Sequence, residues 1–157
     1  MIVIDLADES ATAMLAARVA RLSAHRDVIA LRGDLGTGKT AFARAFISAH
    51  CNRQEEVPSP TFTLVQIYEP EFAETPAVWH FDLYRLRSAE EAWELGMEEA
   101  FNDGISLIEW PERLGPLLPS RRLQITLEFG NRPDTRRVTL DPGAGWEARL
   151  RMIGADA

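Results

Sequence analysis

The residues Gly33-Asp34-Leu35-Gly36-Thr37-Gly38-Lys39-Thr40 fit the pattern G-x-x-x-x-G-K-[ST], a turn that cradles phosphate groups. Glycines at 33, 36 and 38 let successive backbone N–H groups converge on an anion without a Cβ in the way. A helix starting at the end of the turn adds unsatisfied N–H groups and the positive end of its dipole. In such a loop Lys39 reaches the β- and γ-phosphates and the Thr40 hydroxyl is placed to ligate Mg²⁺. The pattern carries weight only between a strand and a helix, and both are present. Val28-Ile29-Ala30-Leu31-Arg32 reads as a buried strand, and Ala41-Phe42-Ala43-Arg44-Ala45-Phe46-Ile47 as a helix burying Phe42 and Phe46.

A magnesium–nucleotide site also needs an acid near the loop, at the carboxyl end of a neighbouring strand. Glu109 fits, because it ends the apolar run Ile105-Ser106-Leu107-Ile108, although aspartate is the commoner residue at that place. Asp82 also ends a strand, between Phe81 and Leu83, where a carboxylate needs a cation or donors; a cap or turn acid is the equal alternative. Ser59, Thr61 and Thr63 lie between the loop helix and the next strand, where a hydroxyl can sense a γ-phosphate, although threonines at a strand start need no such role. Trp110 offers a ring for stacking or packing beside Pro111. His80 reads as a hydrogen-bonded strand histidine rather than a catalyst, and Trp93 and Met97 as helix core. Arg121, Arg122, Arg132, Arg136 and Arg137 give the C-terminal third a basic surface of the kind that half-solvated hairpins carry.

The remaining elements must hold these groups in place. At 157 residues and 46% hydrophobic composition the chain has the length of one domain with a real core. Lys and Arg total 17 against 24 Asp and Glu, and a net charge of −7 argues against a protein that grips nucleic acid by its own surface. The single cysteine, Cys51, excludes an internal disulfide and a multi-cysteine metal site. The start Met1-Ile2-Val3-Ile4-Asp5-Leu6 lacks a basic segment and a sustained apolar run, so the reading is a cytoplasmic protein without a membrane span.

Residues 2 to 6 read as a strand, and Asp8 as the cap of a helix with Leu15, Val19 and Leu22 on one face. Residues 61 to 68 and 78 to 84 read as strands too close in sequence for a parallel crossover, hence an antiparallel hairpin. Ser88 and Glu91 suggest a capping box for a helix that Gly96 stops, with a second helical piece from Met97 to Phe101. Residues 123 to 129 and 137 to 140 alternate with period two around a turn and form a second hairpin, while Trp146 to Ile153 reads equally as helix or strand. The sum is an α/β fold: a three-layer sandwich of the P-loop NTPase kind, its mixed sheet combining a parallel core with antiparallel hairpins.

Several stretches coincide with one family. The loop at 33–40, Ser59-Pro60-Thr61-Phe62-Thr63-Leu64-Val65, His80-Phe81-Asp82-Leu83-Tyr84-Arg85-Leu86 and Leu107-Ile108-Glu109-Trp110-Pro111, in that order, resemble the signatures of the bacterial TsaE (YjeE) ATPases. Asp8-Glu9-Ser10-Ala11-Thr12 is similar to the family's N-terminal pattern. The resemblance implies a small Mg²⁺-dependent ATPase that acts with TsaB and TsaD to form threonylcarbamoyladenosine at position 37 of tRNA, meeting the tRNA through that complex. It implies Lys39 and the loop amides of Gly33, Leu35, Gly36, Thr37 and Gly38 on the phosphates, Thr40 and Glu109 on Mg²⁺, and Asp82 in hydrolysis. It places Thr61 at a switch-like segment, Trp110 beside the metal acid, and Glu9 and Thr12 near the adenine. Two other outputs of the same loop are a small-molecule kinase, for which no arginine-bearing lid is evident, and a nucleotide-dependent binding switch.

Overall fold

The computed structural model describes residues 1–52, 64–72 and 74–155. Seven strands, β1 (Ile2–Leu6), β2 (Val28–Arg32), β3 (Val65–Tyr68), β4 (Val78–Asp82), β5 (Ile105–Glu109), β6 (Arg122–Phe129) and β7 (Arg136–Pro142), make one sheet in the order β1-β7-β6-β2-β5-β4-β3. The four central strands β6, β2, β5 and β4 run parallel. Antiparallel pairing occupies both edges, β3 on β4 at one and β6, β7 and β1 at the other. The expected mixed sheet is therefore present.

Alternate residues of one strand point to opposite faces, and here each face has its own apolar layer. Ile29, Leu31, Leu107 and Ile125 pack with Leu15 and Val19 of α1 (Glu9–Leu22) and Phe42 and Phe46 of α2 (Lys39–Cys51). On the other face Val28, Phe81 and Ile108 pack with Ala92 of α3 (Ala89–Glu94), Met97 and Phe101 of α4 (Met97–Asn102), and Leu114 of a 3-10 segment at Pro111–Leu117. Coverage on both sides explains why β2 and β5 read as unbroken apolar runs rather than alternating ones.

Local sequence signals mostly survive folding. Asp8 caps α1 by accepting a hydrogen bond from the Ala11 N–H at 2.8 Å. The capping box at Ser88 does not form: its hydroxyl makes no cap bond, and Glu91 instead accepts from the N–H of Arg87 at 3.0 Å, one residue earlier. Trp93 is not core, being 42% exposed, whereas Met97 is fully buried. Met97 belongs to the next helix, α4, while Trp93 on α3 meets the Phe101 ring edge-on at 6.3 Å. Of the strand expected at 61 to 68, residues 61–63 lie outside the described residues and β3 begins at Val65.

The C-terminal segment is a helix, α5 (Glu147–Ala155). Arg149 settles it by forming a two-point ion pair with Asp27, at 2.6 and 3.0 Å, while stacking 3.7 Å from the ring of buried Trp146. Among the described residues no helix is long and apolar enough to cross a membrane.

Phe46 anchors α2, and with it the phosphate loop, to the sheet. The substitution Phe46→Ala is expected to reduce the unfolding free energy by about 3–5 kcal/mol in urea denaturation. A loss below about 1 kcal/mol would show that α2 does not depend on this contact.

Candidate active site

Between β2 and α2 the chain turns sharply under a close ceiling. Gly33 has φ 149°, and a Cβ there would stand 2.6 Å from both the Leu127 carbonyl oxygen and the Thr37 hydroxyl. Gly38 has φ 105° in open space, so the backbone angle rather than crowding calls for glycine. The buried Thr37 closes the turn on itself: its hydroxyl donates to the Asp34 carbonyl at 2.8 Å, and its N–H lies 3.3 Å from the same oxygen. α2 begins at Lys39, so the first amides of the helix have no acceptor within it and open beside the loop. Leu35 stands at the tip with its side chain exposed, on the rim of the cleft that Lys39 and Thr40 line.

Lys39 is 5% exposed, and its ammonium bends back onto the carbonyl oxygens of Gly33 and Asp34. The ammonium also sits 4.1 Å from the centre of the Trp110 ring. Trp110 takes a left-handed backbone conformation, φ 60°, that turns its ring over the loop, where Tyr84 packs at 5.0 Å. Burial pushes the ammonium below the ordinary lysine range, against the opposing pull of Glu109, Glu112, Asp82 and Asp34.

Parity in β5 sends Leu107 to the α2 face, and Glu109, two residues on, follows it. Glu109 is 2% exposed and both its oxygens are engaged. Oε1 accepts from the Thr40 hydroxyl at 2.8 Å, and Oε2 lies 2.7 Å from Nε2 of fully buried His80. An ionised carboxylate only accepts, which puts the imidazole hydrogen on Nε2. Asp82 stands opposite Glu109 in the β4–β5 register, is 5% exposed, and accepts from the Tyr84 N–H at 3.1 Å. Two buried carboxylates and a hydroxyl at adjoining strand and helix ends form a hard-oxygen donor set suited to Mg²⁺. Charge of this kind is costly to bury without a cation, so the residues fit that ion.

A cleft of about 370 Å³ joins Gly36, Gly38, Lys39, Thr40, Asp82 and Glu109. Across the loop a second one, about 280 Å³, is lined by Glu9, Thr12, Thr37 and Arg136 among others. The fold thus gathers every site residue expected from sequence around the loop except Thr61, which with Ser59 and Thr63 lies outside the described residues. Glu9 and Thr12 arrive on the side away from Glu109. Two neighbours of the site were named from sequence without the partners they find. One is His80 as the partner of Glu109, and the other is Arg136, which donates to the Thr37 carbonyl at 2.9 Å. His80 opens the family-like segment 80–86, which does not reveal its partner, and for Arg136 the parallel pairing of β2 with β6 places the turn after β6 beside the loop after β2.

Lys39 is the only lysine in the sequence, so its side-chain amine can be followed as one ¹⁵N signal. It is expected to titrate below the ordinary lysine range in the folded chain. Between the folded and unfolded values the unfolded chain holds the extra proton, so this group makes stability rise with pH across that window. An unshifted titration would show that the ammonium is solvated.

The family model described as threonylcarbamoyl adenosine biosynthesis protein TsaE matches residues 6–138. The tRNA threonylcarbamoyladenosine biosynthesis protein TsaE of Rickettsia conorii is 42% identical over 123 residues, 78% of this chain and 69% of that protein. The protein of the same name from Treponema pallidum is 36% identical over 121 residues, 74% of this chain and 86% of its own. Among solved structures, Bacillus subtilus YdiB superposes with a TM-score of 0.81 at 27% identity, covering 99% of this chain and 95% of that one. The matched span takes in the phosphate loop, both buried acids and the hairpin beside them; the chain belongs to the TsaE family.

Proposed function

We propose that, within the tRNA threonylcarbamoyladenosine biosynthesis of its family, this chain binds and hydrolyses ATP with Mg²⁺ and works with TsaB and TsaD. The observation that carries the reading is the Thr40–Glu109 hydrogen bond of 2.8 Å, set in one cleft with Lys39 and Asp82. A threonine directly after the loop lysine, paired with a strand-end carboxylate, is the donor set a phosphate-bound magnesium needs. The net charge of −7 supports contact with tRNA through partner proteins rather than through this surface.

Mg²⁺, when bound, would supply positive charge against the developing charge on the transferred phosphoryl group, and Thr40 and Glu109 are the residues that would hold it. His80 keeps Oε2 of Glu109 in place, so the carboxylate can exchange the Thr40 hydroxyl at Oε1 without swinging free. Lys39 exchanges two neutral carbonyl partners for phosphate oxygens, a stronger, charge-assisted bond. The loop amides of Gly33 to Gly38 hold the phosphate chain, and Trp110 limits the room available to the lysine head. Asp82 orients the attacking water and takes its proton. Glu9 and Thr12 serve the adenine side, in the cleft across the loop. Thr61 belongs to this proposal through the family resemblance alone. The site lies in the cytoplasm, where ATP and tRNA are both available.

Asp82→Asn and Glu109→Gln are expected to slow phosphate release from ATP by roughly 10²-fold or more with the fold intact by circular dichroism. Hydrolysis at the wild-type rate in either variant would remove that residue from the proposed role. The wild-type chain is expected to turn over slowly alone and faster with TsaB and TsaD; equal rates would count against partner coupling. A phosphorylated small molecule in place of free phosphate would identify a kinase instead.

A further inference from the structure

The guanidinium of Arg136 makes four hydrogen bonds, all to backbone carbonyls. Nε donates to Thr37 at 2.9 Å and Nη2 to Gly36 at 3.3 Å, while Nη1 donates to Pro133 and Thr135 at 2.7 Å each. Two acceptors belong to the phosphate loop and two to the turn between β6 and β7, so one planar cation joins segments about a hundred residues apart in sequence. The Phe129 ring backs the guanidinium at 5.0 Å.

A trans peptide unit carries its C=O and N–H on opposite sides. With the carbonyls of Gly36 and Thr37 turned onto Arg136, the N–H groups of Thr37 and Gly38 are turned away from it. Arg136 lines the cleft holding Glu9 and Thr12, whereas Gly36 and Gly38 also border the cleft of Lys39, Thr40 and Glu109. The unit after Gly36 is also held by Thr37 on the Asp34 carbonyl, whereas the unit after Thr37 leads into Gly38, whose missing side chain does nothing to stop it from flipping. We infer that Arg136 is a positioning residue for phosphate binding: from behind the loop it locks the peptide unit after Thr37, with the Gly38 amide hydrogen toward the phosphate cleft. The charge-assisted bond to the Thr37 carbonyl also polarises that unit, making the Gly38 N–H a better donor. Lysine is no substitute, because a single ammonium cannot span four carbonyls in the plane of a fork.

The inference rests on the nucleotide reading above, and the experiment separates the two. Affinities for ADP and AMP are measured calorimetrically with Mg²⁺ for wild type, Arg136→Lys and Arg136→Gln. In both variants ADP is expected to bind about tenfold more weakly, with AMP, which lacks the β-phosphate but shares the adenine cleft that Arg136 lines, weakened less. Full ADP affinity in Arg136→Lys would overturn the inference, since charge alone would then suffice. Parallel weakening of ADP and AMP with a lowered melting temperature would also overturn it, leaving the arginine as a brace for the hairpin. A wild-type chain that does not prefer ADP over AMP would overturn the nucleotide reading itself. In the wild type, where folding is not at issue, the Arg136 Nε–H is expected to exchange with solvent far more slowly than that of exposed Arg132. Equal exchange rates would show that the clip does not persist in solution.

Discussion

Two carboxylates, Asp82 and Glu109, end neighbouring parallel strands and are almost entirely withdrawn from water. Burying one such charge is expensive and burying a pair is worse, because the like charges repel where the dielectric is low. Much of the site answers that constraint. Thr40 and His80 each supply a donor to Glu109, the Tyr84 amide supplies one to Asp82, and the ammonium of Lys39 adds positive charge to the same cleft.

Lys39 shows the same tension from the other side. It is drawn up by four carboxylates and pushed down by its own burial, and its ammonium is held by neutral carbonyls and an aromatic face. These partners are weaker than a phosphate oxygen and easily exchanged, so the loop can hold its shape while keeping its cation available.

Precision here comes from the parallel core. β2 delivers the loop, β4 and β5 deliver the acids, and all three end at the same edge of the sheet because they run in one direction. Open α/β sheets place their ligand sites at that edge for this reason. The antiparallel additions serve a different purpose: β6 and β7 carry a turn back to the loop, and Arg136 fastens the two together. A net charge of −7 gives the chain little electrostatic hold of its own on a polyanion.

The phosphate loop, its flanking strand and helix, the antiparallel hairpins and the candidate acids were all legible in the sequence. Each depends on local rules: glycine at left-handed positions, apolar periodicity, and a carboxylate where a buried strand ends. Residues whose roles depend on distant partners were not legible. His80 looks like any strand histidine until the β4–β5 register sets it under Glu109, and Arg136 looks like its arginine neighbours until the sheet order brings its turn to the loop. The C-terminal segment became a helix because Arg149 found Asp27 across the fold, and Trp93, on the short helix α3, stayed exposed. The sequence by itself determined which chemistry the loop can perform, since that follows from residue types at fixed spacing. Only the tertiary structure decided which side chains hold that chemistry in place, because hydrogen bonds between residues a hundred positions apart leave no periodic trace along the chain.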